Sequence, residues 1–220
     1  MRVIARFSKD GDLRFISHLD MVHAIERAMR RADIPVVYSE GFSPHMKIAF
    51  SAPTPLGIST SAEYMDVHID GEFSPFSFME RLNEMLPTKM RVLEAVQVED
   101  NAPRILGKAA IGSYTIELKN KSYYNLLCEA LNKLEKLDEI VMEKKSKSGP
   151  KAINIKPCIK KLAVLPEAIL RVNLLLPSAG GINPSVLLEA VCVFSNGKLN
   201  EDMFVVHKDD VLLENGERLV

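Results

Sequence analysis

The chain has 220 residues, 47% of them apolar, with 28 basic against 29 acidic side chains and no tryptophan. That length and apolar content support a real core, in one large domain or two small ones, and exclude a disordered chain. A formal net charge of −1 excludes a global field drawing the protein to nucleic acid or membrane, so any such binding needs a local patch.

The opening residues MRVIARFSKDGDLRF are charged from the second position and contain no long apolar run, so neither a signal peptide nor a membrane span is expected. Val3 to Phe7 alternates apolar and polar residues as a strand does, and KDGD is a turn. Ser17, with Asp20 three residues on, is a helix start, and Leu19, Val22, Ile25, Met29 and Ala32 form its apolar stripe before Pro35. Residues 36–60 are extended and punctuated by Gly41, Pro44, Pro53, Pro55 and Gly57. Ile48 to Phe50 and Tyr64 to Ile69 read as strands, Phe76 to Leu86 as a helix closed by Pro87, and Arg91 to Val98 as a strand. The order β-α-β-β-α-β is that of a ferredoxin-like split module.

After the polar stretch EDNAPRILGK, a candidate linker, the order repeats. Ser113 to Leu118 reads as a strand, Tyr123 to Leu137 as a helix, and Val141 to Lys145 as an edge strand before the turn SKSGP. Ile153 to Val164 and Ile169 to Leu176 are expected to pair, Asn183-Pro184 opens a last helix, and Met203 to His207 closes the set. The expected fold is therefore α+β: two tandem ferredoxin-like modules with antiparallel sheets, at residues 1–100 and 110–220, the second with a basic hairpin. The repetition is architectural; the sequence holds no repeat of fixed period.

On the first helix, at about 100° per residue, His23, Arg27, Arg30 and Arg31 share a polar arc opposite the apolar stripe. Three guanidinium forks in one patch suit phosphate or carboxylate, and a solvated face balanced by Asp20 and Glu26 accounts for the same residues. The loop Tyr38-Ser-Glu-Gly-Phe-Ser-Pro-His-Met-Lys47 displays Tyr38, Phe42, His45 and Lys47 around Gly41 and Pro44. Aromatics beside a cation suit base stacking next to a phosphate contact; the alternative is a loop anchored by packing of its rings. A second basic stretch, Lys144 to Lys161, includes Lys156, Lys160 and Lys161 and no acidic residue. It suits a phosphate backbone, or equally an edge guarded by lysines.

No catalytic constellation is recognisable. PTPLGISTSAEY lacks a Walker lysine and the GxGxxG pattern, and Ser59 has no elbow glycines. Glu63 and Asp66, three apart on a strand, point to opposite faces and make a poor acid/base pair. His18 and His23 are five apart, the wrong helical offset for joint metal ligation. Cys128, Cys158 and Cys192 form no CxxC pair and fit a reducing cytoplasm. No metal and no cofactor are expected.

The run from Arg14-Phe15 and His18-Leu19-Asp20 through Arg27 to Ala32, Pro35, Tyr38-Ser39, Gly41-Phe42, Pro44-His45, Pro55-Leu56-Gly57 and Glu63-Tyr64 closely resembles the radical-SAM-linked bacterial domain-of-unknown-function family, DUF2344. In the second half, KAINIKPCIKKL is the best-matching piece. The resemblance implies a cobalamin-binding radical SAM protein as partner, because members are fused to one or encoded beside it. Nearby genes for a ribonuclease of the E/G type and for ribosomal proteins imply an RNA-modifying or ribosome-related setting. The chain lacks the CxxxCxxC ligands of a radical SAM enzyme, so the iron–sulfur cluster would be the partner's. Tandem ferredoxin-like modules also occur in pseudouridine synthases and CRISPR-transcript endoribonucleases, an analogy of fold alone.

Three functions follow as expectations. The first is a non-catalytic module whose halves form a cleft lined by Arg27, Arg30, Arg31, Tyr38, Phe42, His45, Lys47 and the 144–161 lysines, holding structured RNA or ribosomal particles and presenting a nucleotide to the radical SAM partner. The second is a scaffold for that partner through the apolar Pro53–Ile58 loop. The third is an RNA-directed enzyme using His18 or His45 as general acid/base beside Arg31 and Lys47.

Overall fold

Strand alternation, helix caps and two proline-led helix starts set the local structure. The computed structural model of the chain describes residues 1–146 and 149–220; Lys147 and Ser148, within the expected SKSGP turn, lie outside the described residues. The chain divides into two units, residues 1–109 with 213–220, and residues 110–212. It is an α+β protein with antiparallel sheets and, among the described residues, four α-helices.

In the first unit, β1 (Arg2–Lys9) is followed by a 3-10 turn over Gly11–Phe15, α1 (His18–Arg31), β2 (Ile48–Phe50), β3 (Ser59–His68), α2 (Pro75–Met85) and β4 (Met90–Val98). The strands lie in the order β4-β1-β3-β2, every neighbouring pair antiparallel. The Ser17 hydroxyl accepts the Asp20 N–H at 3.1 Å and donates to the Asp20 carboxylate at 2.7 Å, which fixes the start of α1. Ser74 caps α2 in the same way, and Pro75 takes the first helical position, where a missing N–H costs nothing. Val3, Ala5, Phe7, Met65 and Val67 pack on the buried sides of the helices. The stripe on α1 runs through Met21, Ile25, Ala28 and Met29, whereas Leu19, expected inside, is 62% exposed. The turn that presents Leu19 is the first of the helix, so Met21 begins the buried stripe instead. The C-terminal segment is tied to this unit by Arg218 on Glu94 at 3.2 Å.

The second unit contains β5 (Ile111–Leu118), α3 (Tyr124–Glu135), β6 (Val141–Ser146), β7 (Gly149–Asn154), β8 (Ile159–Leu165), β9 (Ile169–Leu175), α4 (Pro184–Phe194) and β10 (Phe204–Leu212). Its main sheet has the order β10-β5-β9-β8, again antiparallel throughout, while β6 and β7 form a separate two-stranded sheet. Two expectations are corrected here. The strand read from Ile153 to Val164 is broken by a 3-10 turn at Lys156–Cys158, and Val141 to Lys145 pairs in the hairpin instead of edging the main sheet. Asn154 causes the break: its side-chain carbonyl accepts the N–H groups of Ile140 at 3.0 Å and Lys156 at 3.1 Å, folding the chain back. Gly181 is needed where the chain leaves β9, because a Cβ there would sit 1.8 Å from the Leu175 carbonyl oxygen.

Candidate nucleic-acid interface

The cationic face of α1 is built as its periodicity requires: with Met21, Ile25, Ala28 and Met29 buried, His23, Arg27, Arg30 and Arg31 are all exposed. The arginines then differ in what they hold. Arg31 donates through Nη2 to the Met85 carbonyl at 2.7 Å, joining the end of α1 to the last residue of α2. A cation there also complements the negative end of the α2 dipole. Arg30 reaches forward, its Nε donating to the Tyr38 hydroxyl at 3.5 Å. That contact leads the influences that raise the Arg30 guanidinium above its ordinary value, so it stays a cation at any physiological pH.

Tyr38 stands at the root of a short closed loop. Tyr38 and Met46 form an antiparallel bridge, and the Ser39 N–H donates to the His45 carbonyl at 2.8 Å. The Ser39 hydroxyl in turn accepts the His45 N–H at 3.1 Å and shares a hydrogen bond with His45 Nδ1 at 2.8 Å. Met46, 4% exposed, anchors the returning limb. Gly41 takes φ +115°, outside the range of other L residues, and lets the tip turn. At that tip Phe42 is fully exposed, Tyr38 is 42% exposed, and Lys47 is exposed just past the bridge. A loop closed by hydrogen bonds thus exposes Phe42 at its tip and, at its root, Tyr38, whose hydroxyl accepts from Arg30.

The two histidines have separate partners. His18 packs edge-on against Phe50 at 5.6 Å, and Phe50 leads on to Phe7 in the core at 6.4 Å. His45 is held by Ser39, and no hydrogen bond or ring contact joins the two histidines among the described residues. The remaining candidates lie in the second unit. Lys156 donates through Nζ to the carbonyls of Leu134 at 3.3 Å and Glu135 at 2.7 Å, capping α3, while Lys160 and Lys161 are exposed on β8.

The apolar Pro53–Ile58 loop forms a second exposed surface in the first unit, and sequence reasoning missed only its neighbour, Phe15. Phe15 is 59% and Leu56 64% exposed, and the Gly57 N–H donates to the Arg14 carbonyl at 2.9 Å, bringing their segments together. The Arg14 guanidinium lies over the Phe15 ring at 4.8 Å. The available signal was the adjacent pair Arg14-Phe15, which stood outside any apolar period. Among the described residues no group of three or more His, Cys, Asp or Glu is placed to hold a metal ion, and no helix is long and apolar enough to cross a membrane.

A family model described as "Uncharacterized protein conserved in bacteria (DUF2344)" matches residues 2–184. The chain belongs to the DUF2344 family. The match covers the whole arginine face, the aromatic loop and the three lysines of this DUF2344 chain. No curated protein matches it.

Proposed function

We propose that the chain is a non-catalytic, cytoplasmic RNA-binding module that presents a nucleotide to a cobalamin-binding radical SAM protein, and that each of its units is a ferredoxin-like module. The observation that carries the RNA reading is Phe42, fully exposed on a loop closed by its own hydrogen bonds. The bonds between Ser39 and His45 close the loop's backbone, so stacking a base on the exposed ring has less backbone to order than on an open loop. Arg27, Arg30 and Lys47 supply phosphate contacts beside it, and Tyr38 offers a second stacking surface. The strand orders β4-β1-β3-β2 and β10-β5-β9-β8, each with two crossover helices, support the ferredoxin-like reading, with the β6–β7 hairpin as an insertion in the second unit. The free thiols of Cys128, Cys158 and Cys192 support a reducing compartment.

Binding of total RNA and of ribosomal particles, measured from low to moderate salt, tests this. Phe42→Ala is expected to weaken binding by at least about fivefold at fixed salt, the low end of the about 1–3 kcal/mol of a stacked base. Arg30→Ala and Lys47→Ala are expected to weaken binding across sequences and to lower the salt slope by about one each. Wild-type affinity in Phe42→Ala, or no binding at low salt, overturns the RNA reading.

The exposed Phe15 and Leu56 favour a second reading, a scaffold that docks on the radical SAM protein through the Pro53–Ile58 loop. Co-purification of the two proteins free of RNA, lost in Leu56→Asp and retained in Phe42→Ala, would select it.

A further inference from the structure

The second unit holds a groove that the proposed RNA face does not use. It lies between α3, α4 and β8, with a volume of about 300 Å3. Its floor is apolar: Leu131 and Leu134 from α3, Leu187 from α4, and Ile159, Leu162 and Val164 from β8. The three from β8 are only half-buried, so the groove leaves apolar surface in water. Around the rim stand Lys156, Lys160 and Lys161, against a single carboxylate, Glu135.

We propose that this groove binds a small organic anion, with an apolar body the size of one ring or a short alkyl chain and a carboxylate or phosphate at its end. The volume sits at the small end of ligand pockets, which are typically about 300–1,000 Å3 with apolar walls and a few polar groups that fix orientation. Charge complementarity selects the sign. Lys156 already neutralises the end of α3 by donating to the Leu134 and Glu135 carbonyls, so the helix terminus does not repel an anion. Lys160 and Lys161 then remain to meet it.

The same strand rules out an added peptide strand as the occupant. β8 pairs with β9 only, among the described residues, but its register shifts between Ile159 and Lys161. A bulge at Lys160 followed by a second lysine is how sheet edges are kept from extending. Both lysines lie at the bulge, among the residues that line the groove.

The test is an NMR titration of the 15N-labelled full chain with octanoate, with octyl phosphate, octanol and acetate as separate probes. Octanoate is expected to shift the amides of residues 131–135 and 159–164, with octanol and acetate binding at least about fivefold more weakly. Octyl phosphate binding tighter than octanoate assigns a phosphate ligand, and the reverse order a carboxylate. The double variant Lys160→Gln/Lys161→Gln keeps the apolar floor and is expected to lose about fivefold in affinity for the anion while its spectrum elsewhere stays that of the folded chain. Equal binding of octanol and octanoate, an unchanged double variant, or unmoved amides at the groove overturns the proposal. So does displacement of octanoate by an RNA oligonucleotide, which would make the lysines a backbone track. Phe42→Ala retains octanoate binding, so this site and the RNA face fail or stand separately.

Discussion

Asp66→Ala is expected to lower folding stability by about 3–5 kcal/mol, read as a fall in the urea midpoint at neutral pH. Asp66 is 5% and Arg2 2% exposed, and the guanidinium grips the carboxylate with two bonds, Nε to Oδ1 at 3.0 Å and Nη2 to Oδ2. The remaining nitrogen, Nη1, donates to the carbonyls of Ala102 at 2.6 Å, Asp100 at 3.3 Å and Glu99 at 3.4 Å. One cation therefore pins the segment after β4 to β1 and β3. Both partners sit on the central strands, with Ile4 opposite Asp66 and Arg2 opposite His68, a diagonal two-residue offset that the arginine spans. Alanine leaves a buried guanidinium without its bonded carboxylate, with only the charge of the largely exposed Asp100 to offset it. It is this poorly offset charge that costs stability, so Asp66→Asn, which keeps an acceptor, is expected to cost less than Asp66→Ala. The double variant Arg2→Met/Asp66→Leu is expected to be less destabilised than Asp66→Ala alone. A loss below about 1 kcal/mol in Asp66→Ala would show that the pair clamps nothing.

The sequence carried the element order because local chemistry determined it: the Ser17–Asp20 cap, Pro75 and Pro184 at helix starts, and alternation in Val3–Phe7 and Ser113–Leu118. What it concealed were charges inside strands. Alternation assumes one wet face, yet in β1 and β3 both faces are covered, so Arg2, Lys9, Glu63 and Asp66 read as surface residues although each is at least 95% buried. Likewise β10 extends past His207 through Lys208, Asp209 and Asp210, a polar run that resembles a loop until pairing with β5 is known. Glu63 and Asp66 do point to different surroundings, as their spacing implies, and each serves its own partner. Of the candidate site, Phe42 and Lys47 were legible because glycine and proline force their loop outward. The divergence of Arg30 toward Tyr38 and Arg31 toward α2 was not, since helical periodicity places a side chain on a face and does not name its neighbour.

Glu63→Gln is expected to destabilise the protein by about 3 kcal/mol at pH 7, and by progressively less as the pH rises toward 10. Glu63 is 1% exposed and accepts the Thr54 N–H at 3.1 Å, holding the Pro53–Ile58 loop. Lys9, 2% exposed, has its ammonium pushed below the ordinary value of 10.5 by burial, while the Glu63 charge pulls it back up. The folded state therefore releases this proton before the unfolded chain does. Between the lowered folded value and 10.5 the unfolded state binds more protons, so the Lys9 contribution to stability rises with pH across that window and is a penalty below it. Removing the Glu63 charge deepens the penalty at neutral pH and extends the window downward, because nothing then offsets desolvation of the ammonium. Once Lys9 is neutral it no longer needs the carboxylate, and wild type and variant converge. Urea midpoints for both proteins between pH 7 and 10 measure this, with Lys9→Met/Glu63→Gln as the control in which the pH dependence of the difference disappears. A Glu63→Gln difference that is constant over that range would assign the loss to the Thr54 hydrogen bond alone and leave Lys9 out of it. A difference that shrinks with pH places a proton-sensitive lysine at the base of the exposed Leu56 loop, and stability of that loop becomes a function of whether Lys9 is charged.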